Sequence, residues 1–162
     1  MIDWNNKPTE VKCLLNPGFC SLVFFEIVKN FNKKNQKGMP FEIAFVALPM
    51  ILNRRISNQL PKTTNARMDM WLKNNLQIKY IFMRSALNMR DYAYEALIFG
   101  LKHEVIKINE EGRLIEGKLR KKATIVNTKE LKVIIKQSQF LGRWLSKIDN
   151  TINLYSILGI KP

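Results

Sequence analysis

The chain has 162 residues, 46% of them hydrophobic, with only 7 Gly and 6 Pro and no long polar tract, which suits one compact domain with a real core. Lysine and arginine number 27 against 13 acids, a net charge of +14, and self-repulsion of that size points to a polyanion or an acidic partner, with nucleic acid the first candidate. Cys13, Cys20 and the single histidine, His103, form no CxxC or His pair, so no metal or other cofactor is expected; the opening MIDWNNKPTEVKCLL lacks a basic n-region and a continuous apolar h-region, so a cytoplasmic, reduced location without a membrane partner is expected.

Asn16-Pro17 is a helix start, with Asn as cap and Pro pre-set for the first helical position. The helix it opens, through Phe19, Val23, Phe24, Ile27 and Phe31, is apolar nearly all round. Such a helix has to be buried on several sides, in its own domain or against another subunit. Residues 32–40 read as a polar loop. Pro40 is expected to open a second helix running to Leu52, bent at Pro49 and closed by Arg54 and Arg55, where cations suit the helix dipole. Thr63 or Thr64 is then expected to cap a short helix carrying Met68, Trp71 and Leu72 and ended by Asn74-Asn75. Two further helices follow, one from about Leu76 to Met89 and one from about Asp91 to His103.

Val105-Ile106-Lys107-Ile108, the turn Asn109-Glu110-Glu111-Gly112 and the return Arg113-Leu114-Ile115-Glu116 form a β-hairpin, with Gly112 at a position of positive φ. Beyond the basic stretch from Lys118 to Lys122, a helix from about Thr128 to Lys147 carries Leu131, Ile134, Phe140, Leu141 and Trp144, with Gly142 weakening its propensity. A short segment from Ile152 to Ile160 ends the chain. The expected fold is therefore mainly α with a small β-hairpin. Its element order is that of a winged helix-turn-helix over about residues 40–117, with an N-terminal helical extension and a C-terminal one over about 128–162, all in a single domain of residues 1–162.

The charge is unevenly distributed. Residues 54–90 hold eight basic residues and one acid, and residues 117–162 hold ten and two, whereas residues 91–116 hold three and six, a net −3. A sequence-specific DNA reader needs Arg, Asn or Gln on the helix before its wing, and Tyr92 to His103 offers none. The candidates for sequence-independent phosphate contacts on double-stranded DNA are therefore Arg54, Arg55, Lys62, Arg67 and Lys73, together with Lys118, Arg120, Lys121 and Lys122. The bland reading of each is a solvated surface charge.

Catalytic signals are weak. His103 has no nucleophile-elbow serine or cysteine beside it. Glu116-Gly117-Lys118 has the acid-x-lysine spacing of metal-dependent nucleases, but Glu10-Val11-Lys12 and Glu130-Leu131-Lys132 repeat the pattern in a lysine-rich chain. Trp71 and Trp144 lie in apolar helices and read as core. No Gly-rich phosphate loop is present.

Several stretches, taken in order, resemble the middle components of three-component ABC systems, the small subunits encoded between an SMC-like ATPase and an effector in Lamassu-type defence. They are Asn16-Pro17-Gly18-Phe19-Cys20, the run Phe41 to Arg55, Leu60-Pro61-Lys62-Thr63-Thr64 with Trp71-Leu72, and Glu95 to Leu101. Gly112-Arg113-Leu114, Phe140-Leu141-Gly142-Arg143-Trp144 and Gly159-Ile160-Lys161-Pro162 complete the set. The resemblance implies a non-enzymatic, winged-helix-containing adaptor that sits on the ATPase and joins it to an effector, often a nuclease, and it brings no catalytic residues. The alternatives are a free-standing winged-helix regulator, against which the acidic helix before the wing argues, and a small nuclease resting on Glu116 and Lys118.

Overall fold

The computed structural model describes residues 2–119, 128–148 and 150–160. Among them are eight helices and one hairpin: α1 (Thr9–Leu14), α2 (Pro17–Asn32), α3 (Ile43–Leu52), α4 (Arg54–Ser57), α5 (Met68–Asn74), α6 (Leu76–Lys102), β1 (Ile106–Ile108), β2 (Leu114–Glu116), α7 (Lys129–Leu145) and α8 (Thr151–Leu158). The molecule is mainly α with a two-stranded antiparallel sheet, as the hydrophobic periodicity implies.

The apolar helix α2 is the centre of the core. Asn16 caps it through Oδ1, which accepts from the Gly18 and Phe19 amides at 2.9 and 3.2 Å. Cys20, Val23, Phe24, Ile27, Val28 and Phe31 are almost fully buried against α3, α6, α7 and the hairpin. The choice left open by its all-round apolarity is thus decided: α2 is buried within its own fold. The span Thr9–Asn32, formed by α1 and α2 together, is long and apolar enough to cross a membrane by length and composition, and here its second part is the internal helix around which the others pack.

Packing of α7 on α2 depends on Gly142. A Cβ there would lie 2.3 Å from the Ile27 carbonyl oxygen, so only glycine lets the two backbones approach this closely. Thr128 caps α7 by accepting from the Leu131 amide at 3.1 Å. Trp144 on α7 meets Trp71 on α5 edge to face at 5.3 Å, and both indole N–H groups donate to carbonyls, of Ala66 and Gln59 respectively.

Several local expectations are corrected. The two helices expected over residues 76–103 are one 27-residue helix, α6. Asp91 is a residue type that caps helices, but no Gly or Pro lies near it, and the buried positions Ile78, Phe82, Ser85, Ala93, Ala96 and Gly100 keep one helical phase across it. The helix expected from Pro40 starts at Ile43, after a turn in which Ile43, Ala44 and Phe45 donate to the carbonyls three residues back. Arg54 and Arg55 do not close α3; they open α4, because Asn53 is extended and its Oδ1 caps the Arg55 amide at 3.0 Å. Neither Thr63 nor Thr64 caps α5, whose N-cap position is Arg67. Residues 9–14, for which no helix is expected, form α1.

The hairpin forms where it is expected, with Lys107 opposite Ile115, and Gly112 sits at φ 74°. Met39, at the end of the loop after α2, adds a bridge to it by exchanging backbone hydrogen bonds with Leu114 at 2.9 and 2.8 Å. Asn32 at the end of α2 donates to the Leu114 carbonyl and to Glu116 Oε2, at 3.3 and 3.0 Å. The hairpin is thereby fastened to α2 as well as to the end of α6.

Candidate functional site

Arg54 and Arg55 come together with a residue the sequence did not single out. Both line a groove of about 840 Å³ between α4 and the first half of α6, with Arg84 on the opposite wall. Asn53, Gln77, Tyr80, Ser85 and Asn88 supply donors and acceptors, and no acid lines it. The groove wall is tied by Asn53 Nδ2, which donates to the buried Ser85 Oγ at 2.7 Å and so links the start of α4 to α6. Arg54 is also bonded to Glu130 of α7. That pair is 77% and 58% exposed, so it positions the side chain more than it stabilises the fold. Gln77, Arg84 and Asn88 recur at helical spacing on one face of α6, within the helix expected from about Leu76 to Met89; the sequence does not show that α4 lies beside that face.

The other basic candidates do not join this groove. Lys62 is exposed in the loop before α5, and Lys73 is exposed in its last turn. Arg67 is engaged with Asp69 through two hydrogen bonds, at 3.1 and 2.7 Å; the Asp69 hydrogen bond and charge raise the guanidinium pKa, and the Arg67 hydrogen bond holds the Asp69 carboxyl below its usual value. Lys118 is exposed beyond the hairpin, where its amide donates to the Glu104 carbonyl at 2.8 Å. Glu104 lies sixteen residues past Asn88, about 24 Å at helical rise. Arg120, Lys121 and Lys122 lie outside the described residues. The basic candidates therefore fall in at least two separate regions.

Of the side chains with catalytic potential, Cys20 is buried, Glu116 is hydrogen-bonded, and Cys13 and His103 are exposed. The buried Cys20 thiol is pushed up to about 12 by burial, which suppresses the reactive thiolate. Cys13 is exposed. His103 is exposed at the end of α6, 4.2 Å from the Phe99 ring. Glu116 receives the Asn32 amide, and Gly117 is required by close approach, since a Cβ there would lie 1.9 Å from the Glu104 oxygen. Among the described residues no three of His, Cys, Asp and Glu come together to hold a metal ion. Of the acids in residues 91–116, Glu95 accepts from the Ile2 amide and from Trp4 Nε1, both at 2.8 Å, and so holds the N-terminal segment on α6. Asp91, Glu104 and Glu111 pair with Arg90, Lys107 and Arg113.

A helical core, a fastened hairpin and a basic groove beside the long helix define a small, mainly helical protein. The model of the ABC-three component system Middle Component 3 family matches residues 4–162, and the chain belongs to that family. No curated protein and no solved structure matches it.

Proposed function

We propose that the chain is a non-catalytic adaptor that joins an SMC-like ABC ATPase to an effector subunit, often a nuclease, in a Lamassu-type defence complex against phage or plasmids, acting in the cytoplasm. The observation that carries this reading is the family match over residues 4–162, since a middle component of a three-component system has partner subunits. The side chains that chemistry would need support it: Cys20 is inert by burial, and Glu116 holds Asn32.

In this reading α6 and the hairpin form the winged element, and its exposed Glu104, Glu110 and Glu111 face protein in place of base edges. Sequence-independent duplex contacts fall first to Lys118 and the basic residues that follow it, with Lys62 and Lys73 as further phosphate partners. Co-expression with the ATPase and effector encoded beside it, followed by size-exclusion chromatography, tests the adaptor role. Co-elution at a fixed ratio is expected, and a monomer that never co-elutes refutes it.

A further inference from the structure

The long helix α6 has two apolar faces. One is the buried seam of Ile78, Phe82, Ala93 and Ala96. The other is open: Leu76, Tyr80, Met83, Leu87, Tyr94 and Ile98 are 72, 71, 36, 75, 55 and 49% exposed. At 100° per residue these six fall in a sector about 60° wide, on the side of the helix away from the buried seam. From Leu76 to Leu87 their spacing is four, three, four, the spacing of a heptad seam. A helix that packs on one side needs one apolar stripe, and a second one left in solvent over more than three heptads marks an interaction face.

The surroundings of the stripe specify what fits it. One flank is concave along its length: the groove of Arg55 and Arg84 borders Leu76 and Tyr80, and a second hollow of about 740 Å³, lined by Ile2 and Trp4, borders Tyr94 and Ile98. The stripe's N-terminal half is flanked by Lys79 and Arg90 on one side and by Arg84 on the other, and no acid occurs between residues 70 and 90. The two acids beside its C-terminal half are already engaged: Asp91 pairs with Arg90, and Glu95 is occupied by the N-terminal segment.

We infer that this face of α6 docks one amphipathic helix of a partner subunit, with apolar residues at heptad spacing and Asp or Glu on both flanks. Tyr80 and Leu87 are its central anchors, and Arg84 and Arg55 pair with the incoming carboxylates. A second copy of this chain would bring the basic flanks together. Residues 120–127 hold three cations and no acid, so charge also excludes the chain's own segment. Duplex DNA would use the arginines but leave Leu76 and Leu87 in water. The source of the helix rests on the adaptor reading; the face and the chemistry of its occupant do not.

The test uses the full chain co-expressed with the ATPase and effector encoded alongside it. A photo-crosslinking residue in place of Leu87 should join to a partner segment with the stated heptad and acidic pattern. Tyr80→Glu with Leu87→Glu should weaken the complex at least about a hundredfold, as expected for losing two buried anchors. Leu87→Met should bind normally, and Arg84→Glu should slow association and reduce its salt dependence. Both anchors are more than two-thirds exposed, so an unchanged melting temperature in the double variant separates lost docking from lost folding. A wild-type complex that the double variant leaves intact overturns the docking face while sparing the adaptor reading. Failure of the wild-type chain to bind either subunit overturns both. A concentration-dependent dimer abolished by the double variant, or duplex binding abolished by it, assigns the face to another occupant and overturns the inference.

Discussion

Replacing Gly142 by alanine sets two effects against each other. Alanine favours a helix over glycine by about 1 kcal/mol, so at a solvent-facing position Gly142→Ala would stabilise α7. Here the added Cβ would sit 2.3 Å from the Ile27 oxygen and 3.1 Å from both the Ile27 carbonyl carbon and the Asn30 Cβ. The Ile27 carbonyl belongs to the backbone of α2, so no rotamer change relieves the clash. Ordinary van der Waals distance requires the two helices to separate by about 1 Å, which loosens the buried Leu141, Trp144 and Leu145 as well. Overpacking costs about 1–3 kcal/mol, and looser packing along α7 adds to it, so after the helix gain a net loss of about 2 kcal/mol is expected. For a chain of this size that lowers the melting temperature by about 4–8 °C, measured by circular dichroism at 222 nm and checked against the urea midpoint. Gly112→Ala is the contrast: φ is 74° and the added Cβ meets nothing, so the cost is about 1 kcal/mol of backbone strain. If Gly142→Ala melts at or above the wild-type temperature, the close approach of α7 to α2 is wrong.

The chain alone should leave plasmid DNA intact with Mg²⁺ or Mn²⁺; cleavage that vanishes in Glu116→Ala would make Glu116 a metal ligand and overturn the non-catalytic reading. Substituting Lys118, Arg120, Lys121 and Lys122 together by Ala should weaken binding to all duplexes alike and flatten the salt slope by up to about 0.9 for each phosphate no longer neutralised, read by electrophoretic shifts at several salt concentrations. A sharp preference for one operator, abolished when exposed positions of Tyr92 to His103 are changed, would instead favour a free-standing regulator. A thiol reagent at pH 8 should label Cys13 alone in the native chain and both cysteines in denaturant. Because burial raises the Cys20 pKa, its contribution to stability is complete below the unfolded thiol value and is lost as pH rises toward about 12. Cys20→Ala should therefore flatten the alkaline arm of the stability profile, and equal labelling of both thiols in the native state would contradict the burial of Cys20.

Signals that act within a few residues were legible in the sequence. Asn16 caps its helix because a short polar side chain reaches the amides two or three residues on. Gly112 turns the hairpin because only glycine takes φ 74° without strain. The apolar periodicity of Trp71 and Trp144 marked them as core, and their exposures of 7% and 2% agree. The family itself was carried by an ordered set of such local stretches, which is why it was visible without a structure. Tertiary packing decided the rest. Gly142 weakens α7 on propensity alone, and its purpose exists only beside the Ile27 carbonyl. The break expected near Asp91 is absent because the buried seam of α6 runs through it, with continuous packing outweighing a local cap preference. The meeting of Arg54, Arg55 and Arg84 depends on how α4 turns back on α6 through Asn53 and Ser85, which are 32 residues apart in sequence. The open stripe from Leu76 to Ile98 was hidden for the same reason: periodicity shows that a helix has apolar faces, and only its packing partners determine which of them is left for another molecule.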